Sequence, residues 1–252
     1  MKILLRISYL GTNYCGYQIQ KDQRTVQEAL CEAAAAVFGV RCDVTGCSRT
    51  DSGVHALDFC ATVTEHGKSG IETTIPVERI PLVFATALPS DIAVNSAEWV
   101  SEEFHPRYDV KYKEYVYKIY NATTPDPFLA DRSWHYPRAI SDTALADMER
   151  AAKGFVGTYD FCSYMASGSD IKDTERTVFE AEVTREGDVI TFRVCADGFL
   201  YNMVRIFTGT LIAVAEGKIS PEDILSITEA KDRSRAGNTA PARGLYLNRV
   251  VY

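Results

Sequence analysis

The alternation of apolar and polar residues predicts several strands and one well-marked helix in the first half of the chain. Residues 2–9 alternate with a period of two, and the stretches 42–48 and 57–64 are rich in β-prone residues. Thr25-Val26-Gln27-Glu28 has the Ser/Thr-x-x-Glu spacing of a capping box, and apolar residues follow at helical spacing as far as Gly39. The first half is therefore predicted to begin with strand, helix, strand and strand.

A similar order of elements is predicted to complete the first half and to repeat in the second. Pro81 can begin a short helix that ends near Leu88. The remaining predicted elements are strands at 91–100, 110–120, 177–184, 188–196 and 244–251, and helices at 141–155, 199–216 and 221–230. This order predicts an α+β fold with two halves, residues 1–104 and 105–252, each with helices packed on one face of an antiparallel sheet.

The composition is that of a globular protein. The 252 residues are 46% hydrophobic and 24% charged, without the bias of disordered or fibrous chains. No stretch approaches the roughly 18 uninterrupted apolar residues of a membrane span, and the N-terminal strand pattern reaches Arg6 too early for a signal peptide. We therefore expect a cytoplasmic protein without a membrane partner.

Cysteine usage and charge narrow the functional classes further. Seven scattered cysteines include no Cys-x-x-Cys pair, which favours reduced, mostly buried thiols over a disulfide framework or a zinc site. A formal net charge of −7 argues against non-specific nucleic-acid binding. Basic residues are nevertheless interleaved with tyrosines over 107–118, and a local basic groove is compatible with this distribution.

Candidate chemistry is concentrated in residues 46–55, Gly-Cys-Ser-Arg-Thr-Asp-Ser-Gly-Val-His. Arg49 and Asp51 lie two residues apart, so in an extended segment both side chains point to one side. The segment lies between two predicted strands, where loops commonly present functional groups. From the residues alone, an aspartate in such a turn is more often a cap for its own backbone than a catalytic group.

The segment resembles the signature of the tRNA pseudouridine synthase A family, Gly-x-x-Arg-Thr-Asp-x-Gly-Val-His, in which the aspartate is catalytic. Further segments resemble family segments in the same order along nearly the whole chain. They include Tyr-Leu-Gly-Thr-Asn-Tyr-Cys-Gly-Tyr-Gln at 9–18, Phe-His-Pro-Arg-Tyr at 104–108 and Phe-Leu-Tyr-Asn-Met-Val-Arg at 199–205. The resemblance implies two ferredoxin-like halves fused into one mixed, mainly antiparallel sheet with a central active-site cleft.

The same resemblance implies roles for five residues. Asp51 is the expected nucleophile in converting uridine to pseudouridine, and Arg205 is the expected cation that keeps this carboxylate ionised. Tyr115 is expected to stack on a base that has been flipped out of the RNA, although the strand pattern alone favours packing within a sheet. Arg49 is expected to face the RNA, and Arg107 to contact its backbone.

The resemblance also implies the partners of the chain, and one alternative function remains open. The expected substrate is tRNA, with target uridines on the 3′ side of the anticodon stem-loop, and the family usually forms homodimers. No cofactor or metal is expected, and His55 is interpreted as a structural histidine. A non-catalytic RNA-binding module is the competing hypothesis. Leu10, Tyr17 and the Leu57-Asp58 pair depart from the family pattern, and the last suggests a paralogue with different target uridines.

Overall fold

A computed structural model describes residues 1–168 and 171–252, and these residues divide into two compact units. The first unit comprises Met1–Lys111 with Leu247–Tyr252, and the second comprises Tyr112–Tyr246. The helices are α1 (Val26–Phe38), α2 (Ile80–Phe84), α3 (Asp142–Lys153), α4 (Met203–Ala215) and α5 (Ile224–Ala230). The strands are β1 (Lys2–Tyr9), β2 (Cys42–Gly46), β3 (His55–Glu65), β4 (Ile92–Val100), β5 (Tyr112–Tyr120), β6 (Trp134–His135), β7 (Gly157–Asp160), β8 (Glu175–Glu186), β9 (Val189–Ala196) and β10 (Leu245–Val251).

The first unit is a sheet whose strand order is β4-β1-β3-β10, in which β1 pairs antiparallel with β3 and β4, and β2 pairs antiparallel with β3. Every second residue of β1 is fully or almost fully buried, from Ile3 to Tyr9. This alternation is the expected pattern for a strand with one face on a core. Because β2 and β3 are neighbours, the segment that joins them leaves the sheet at the end of a single hairpin.

Helix α1 begins and ends where the sequence predicts. The Thr25 hydroxyl accepts a hydrogen bond from the backbone N–H of Glu28, which is one half of a capping box. At the other end, Gly39 takes a left-handed conformation with φ of 70°, a conformation that glycine adopts without strain. The capping residues therefore fix both boundaries of this helix.

The second unit has the strand order β5-β9-β8-β7, with β6 paired in parallel to β5. Its core is aromatic. The rings of Phe155 and Phe207 stack with centroids 4.0 Å apart, and Tyr164 and Phe192 pack against Phe207 from other sides. Since Phe207 lies on α4 and Phe192 on β9, these contacts fix the helix on the sheet.

The predicted α+β class is confirmed, as are the main helices and strands. Two short strands, β6 and β7, are absent from the prediction because two and four residues carry too little alternation to recognise. Helix α4 begins at Met203 instead of residue 199, because Asn202 has a left-handed backbone with φ of 60° that interrupts helical geometry. Among the described residues, no helix is long and apolar enough to cross a membrane.

Candidate active site

The Asp51 loop, residues 47–54, joins β2 to β3 in the first unit. Its first residue extends the strand ladder, since the Cys47 N–H donates to the Cys60 carbonyl at 2.8 Å. Its end is a tight turn in which the Val54 N–H donates to the Asp51 carbonyl at 3.1 Å, with Gly53 at a φ of 78°. Asp51 is therefore the first residue of a hydrogen-bonded turn immediately before β3. Its predicted position on the connection between two neighbouring strands is confirmed.

Thr50 fixes the backbone next to Asp51. Its side chain is buried, and its hydroxyl is 2.8 Å from the Tyr9 hydroxyl on β1. Its carbonyl accepts a hydrogen bond from the Tyr17 N–H at 3.0 Å. Arg49 is exposed and Asp51 is half-buried on either side of it. Thr50, which is buried and hydrogen-bonded at two points, holds the segment in place. Both charged side chains retain access to solvent.

The chain segment around Gly11 and Gly16 packs directly on the Asp51 loop. A Cβ atom added to Gly11 would lie 2.0 Å from the Val54 carbonyl oxygen, and one added to Gly16 would lie 2.6 Å from the Thr50 carbonyl oxygen. Gly16 also has a φ of 84°, which strains any other residue. Backbone therefore approaches backbone at both points, and only glycine allows these distances.

His55 ties the same two segments together. Its side chain is fully buried, and its Nδ1 accepts a hydrogen bond from the Gly11 N–H at 3.0 Å. Accepting at Nδ1 requires the tautomer with hydrogen on Nε2. This arrangement agrees with the interpretation of His55 as a structural histidine. In the part of the chain that the structure describes, no group of three or more His, Cys, Asp or Glu side chains is arranged to hold a metal ion.

Apolar and thiol groups pack behind the Asp51 loop. Tyr17 stacks on Phe59 with ring centroids 4.4 Å apart, and both rings are buried. Cys47 and Cys60 are also buried, and burial raises the pKa of the Cys60 thiol to about 12. A thiol with so high a pKa is uncharged and unreactive at neutral pH. Burial of Cys47 beside the signature segment is confirmed, and all seven cysteines are thiols.

Tyr115 lies on β5 in the second unit. Its side chain is 6% exposed, and its ring meets that of Phe199 edge-on, with centroids 4.9 Å apart. Tyr115 and Tyr117 point to the same face of the strand because they are two residues apart. Tyr117 donates from its hydroxyl to the Pro241 carbonyl at 2.6 Å, and burial raises its pKa well above the usual range.

Arg205 lies in the first turns of α4 and is half-buried. Its Nε donates to the Ala240 carbonyl at 2.7 Å, and its Nη1 donates to Asn202 Oδ1 at 2.6 Å. Ala240 in turn donates its N–H to the Arg205 carbonyl at 3.1 Å. Since Tyr117 binds the carbonyl next in sequence, at Pro241, the start of α4 and the middle of β5 meet the same segment. The second unit therefore brings Arg205 close to the strand that carries Tyr115.

The five predicted residues fall into two sets. Asp51, Arg49 and Arg107 belong to the first unit, whereas Tyr115 and Arg205 belong to the second. Arg49 shares a loop with Asp51, but Arg107 lies on a separate turn, where its guanidinium carbon is 5.9 Å from the centre of the exposed Tyr108 ring. Within the first unit, the structure places Arg49 beside Asp51 and puts Arg107 on another segment. Within the second unit, it brings Arg205 close to the strand of Tyr115.

Asp58, one of the departures from the family pattern, has a structural partner. Its Oδ2 accepts a hydrogen bond from Arg6 at 2.7 Å and a longer one, 3.4 Å, from the Val250 N–H. Arg6 also donates to the Val250 carbonyl at 3.4 Å. The carboxylate therefore joins β1, β3 and the last strand, which gives Asp58 a structural role.

Sequence reasoning missed two residues that support the site, Tyr9 and Thr50. Thr50 lies inside the signature at 46–55, and Tyr9 begins the segment at 9–18 that also resembles the family. Their membership of these segments was the signal available. Nothing in the linear pattern indicates that the Tyr9 hydroxyl meets Thr50, because this contact depends on the pairing of β1 with β3.

Comparisons with known proteins identify the family of the chain. A family model described as tRNA pseudouridine synthase matches residues 6–109 and 151–252. The tRNA pseudouridine synthase A of Acetivibrio thermocellus is 42% identical over 251 residues, which cover 99% of this chain and 99% of that protein. The tRNA pseudouridine synthase A of Bacillus subtilis strain 168 is 41% identical over 254 residues, covering 100% and 99%. The chain therefore belongs to the tRNA pseudouridine synthase family, whose members are isomerases that act on uridine in tRNA.

Proposed function

We propose that this chain converts uridine to pseudouridine in the anticodon stem-loop of tRNA, with the Asp51 carboxylate as the catalytic group. The reaction breaks the bond between N1 of uracil and C1′ of ribose and forms a bond between C5 and C1′. The C5 proton is lost and N1 regains a proton, so atoms and electrons balance without a cofactor. A carboxylate beside C1′ and the base is the protein group that this chemistry requires.

The observation that carries the proposal is the construction of the Asp51 loop. A catalytic carboxylate must be held in a fixed place but remain accessible to its substrate. Thr50 is buried and bonded on both its hydroxyl and its carbonyl, and Asp51 next to it is half-buried. An aspartate that served only to cap its own turn would not need support from Tyr9 and Tyr17.

Tyr115 is the proposed stacking partner of the target base. A base inside an RNA helix cannot reach a carboxylate on a protein loop, so the nucleotide must be flipped out and held. Tyr115 is held edge-on by Phe199, which fixes the orientation of its ring. Stacking of one base on an aromatic side chain is worth about 1 to 3 kcal/mol.

The three arginines are proposed to act through their charge. Arg205 is anchored by Asn202 and Ala240, so its guanidinium is presented in a defined orientation, and we assign it to the reacting nucleotide and its catalytic carboxylate. Arg49 is exposed beside Asp51 and is assigned to the RNA that surrounds the target. Arg107 is exposed on its own turn and is assigned to a phosphate.

The proposal extends to the partners of the chain. A tRNA-modifying enzyme is expected to act in the cytoplasm, and a homodimer is proposed because it allows one tRNA to contact two copies of the chain. Light scattering of the purified protein tests the second point, since a monomeric mass at micromolar concentration would contradict it. A module that binds RNA without catalysis would explain neither the supported Asp51 loop nor the anchored Arg205.

Pseudouridine mapping tests the proposal. Unmodified tRNA is incubated with the wild-type protein or with Asp51→Ala, then treated with a carbodiimide and read by primer extension. We expect new stops on the 3′ side of the anticodon stem-loop with the wild type and none with the variant. Equal stops with both proteins would refute the role of Asp51. Binding without stops in the wild type would favour the RNA-binding module.

A further inference from the structure

The first unit carries an exposed aromatic side chain that the proposed chemistry does not use. Tyr108 is 75% exposed and lies in residues 105–109, here called the Tyr108 turn. This turn belongs to the same unit as the Asp51 loop but is a separate segment. An exposed ring on a well-fixed turn is a candidate binding surface.

Hydrogen bonds within the turn hold it in one shape. The N–H groups of Tyr108 and Asp109 both donate to the His105 carbonyl, at 3.2 and 3.1 Å. The His105 N–H donates to the Asp109 carboxylate at 2.9 Å, and the Arg107 N–H donates to His105 Nδ1 at 3.1 Å. The backbone donors of the turn are therefore satisfied internally, and the Asp109 charge is directed into the turn.

The turn is also anchored to the body of the unit. The Tyr252 hydroxyl donates to the Pro106 carbonyl at 2.8 Å, and the Tyr252 ring packs edge-on against Phe104. Lys2 donates to the Phe104 carbonyl at 3.0 Å. These contacts at Phe104 and Pro106 limit the movement of the turn, so little conformational entropy is lost when a ligand binds Tyr108.

The outer surface of the turn combines a ring with a cation. The His105 ring lies against one side of Tyr108, with centroids 4.3 Å apart and planes tilted by 34°. The Arg107 guanidinium carbon is 5.9 Å from the Tyr108 centroid, and within the described residues this guanidinium forms no salt bridge. A supported aromatic face beside an uncompensated arginine matches the chemistry of a nucleotide, which offers a planar base and a phosphate.

We propose that the Tyr108 turn is a second RNA-binding site, at which an unpaired base of the tRNA stacks on Tyr108 while Arg107 binds an adjacent phosphate. This inference rests on the proposed function, because it takes the substrate to be tRNA. Tyr108 is assigned to a different base from the target uridine, whose proposed stacking partner is Tyr115. Its role is to position the tRNA, and it contributes to binding without taking part in the bond changes.

Steady-state kinetics of pseudouridine formation separate the two roles. With unmodified tRNA transcript as substrate, Tyr108→Ala is expected to raise KM about 10-fold and to change kcat less than 2-fold, as loss of one stacked base predicts. Tyr108→Phe keeps the ring and should retain the wild-type KM. Leu82→Ala removes another exposed apolar side chain of the same unit, 61% exposed on α2, and should change neither constant.

Two further variants distinguish stacking of a base on Tyr108 from attraction of the RNA by charge alone. Arg107→Gln should raise KM and lower the slope of log affinity against log salt by about one phosphate contact. Tyr108→Trp should stay active, and its added fluorescence should be quenched by tRNA. A KM that is raised by Arg107→Gln but unchanged in Tyr108→Ala would overturn the stacking site.

The outcomes also separate this inference from the proposed function. If the wild-type protein forms no pseudouridine, the proposed function fails first. If the wild type is active and Tyr108→Ala has an unchanged KM, only the second binding site fails. A Tyr108→Ala protein whose mass by light scattering differs from that of the wild type would assign the turn to contact between copies of the chain and would overturn the RNA site.

Discussion

The Asp51 loop and the Tyr108 turn belong to the same unit but are stabilised in opposite ways. The Asp51 loop is held from outside, by Tyr9 and Tyr17 through Thr50 and by close approach of the glycine-containing segment at residues 11–16. The Tyr108 turn is held mainly from within, by hydrogen bonds that begin and end in five consecutive residues. Thr50 next to Asp51 is buried, whereas Arg107, Tyr108 and Asp109 are exposed.

This difference predicts different consequences of mutation. A loop fixed by buried contacts with other elements couples its geometry to the stability of the unit, so changes there affect both folding and reaction rate. A turn closed by its own exposed hydrogen bonds can be altered with little effect on the rest of the unit. This difference fits the proposed roles, which are chemistry at the Asp51 loop and substrate positioning at the Tyr108 turn.

Among substitutions of the residues that support the two segments, the largest effect is expected from Gly16→Ala. The added Cβ would lie 2.6 Å from the Thr50 carbonyl oxygen, and φ is 84°. Because the obstacle is backbone, the Asp51 loop must move, and we expect kcat to fall at least about 100-fold. The free energy of unfolding should fall by about 3 kcal/mol or more. Urea denaturation and single-turnover kinetics measure the two effects.

Gly67→Ala is the matched control for this change. Gly67 has nearly the same conformation, with a φ of 79°, but an added Cβ would meet nothing within 4 Å. Backbone strain alone should lower the free energy of unfolding by about 1 to 2 kcal/mol and leave kcat unchanged. Equal effects of the two substitutions would show that contact with the Asp51 loop is unimportant.

Tyr9→Phe should have the next largest effect. It removes the hydroxyl that meets Thr50 at 2.8 Å and leaves a buried polar atom without this partner. We expect the free energy of unfolding to fall by about 1 to 3 kcal/mol and kcat to fall about 10-fold, with KM for tRNA unchanged. Thr50→Val should have a similar effect, and the double variant should be less than additive. A raised KM with normal kcat would contradict a positioning role.

Tyr17→Phe should have a smaller effect of opposite sign on stability. In the described residues, the Tyr17 hydroxyl is the buried side-chain polar atom that has no hydrogen-bond partner. Removing it should raise the free energy of unfolding by about 1 kcal/mol, and the stacking on Phe59 should be retained. Tyr164→Phe is the control, because that hydroxyl donates to the Ile224 carbonyl, and its loss should destabilise the protein. A destabilised Tyr17→Phe variant would show that the Tyr17 hydroxyl makes a stabilising hydrogen bond and would contradict this prediction.

The smallest effect is expected from Asp109→Ala in the Tyr108 turn. The substitution removes the carboxylate that accepts from the His105 N–H, at an exposed position. We expect the free energy of unfolding to fall by less than about 1 kcal/mol and kcat to stay unchanged, while KM rises because the ring is less well held. A loss of stability as large as that of Tyr9→Phe would show that the two segments are not supported differently.

Local signals explain which parts of the fold could be predicted. The boundaries of α1 follow from Thr25 and Gly39, and the position of the Asp51 loop follows from the two stretches that became β2 and β3. The support of the loop could not be predicted, because Tyr9 and Thr50 meet only after distant strands have paired. The internal hydrogen bonds of the Tyr108 turn could not be predicted either, because turn geometry depends on backbone angles that cannot be read from a single sequence.

Release of tritium from tRNA labelled at C5 of uridine tests the central claim most directly, because formation of the bond between C5 and C1′ is followed by loss of the C5 proton. The measurement is made under single-turnover conditions with wild type and Asp51→Asn, each in excess over tRNA that is shown to be bound. We expect rapid release with the wild type and none above background with Asp51→Asn. Release by bound Asp51→Asn at a rate within about 10-fold of the wild type, less than the loss expected for a removed catalytic group, would contradict the assignment of the chemistry to the Asp51 loop.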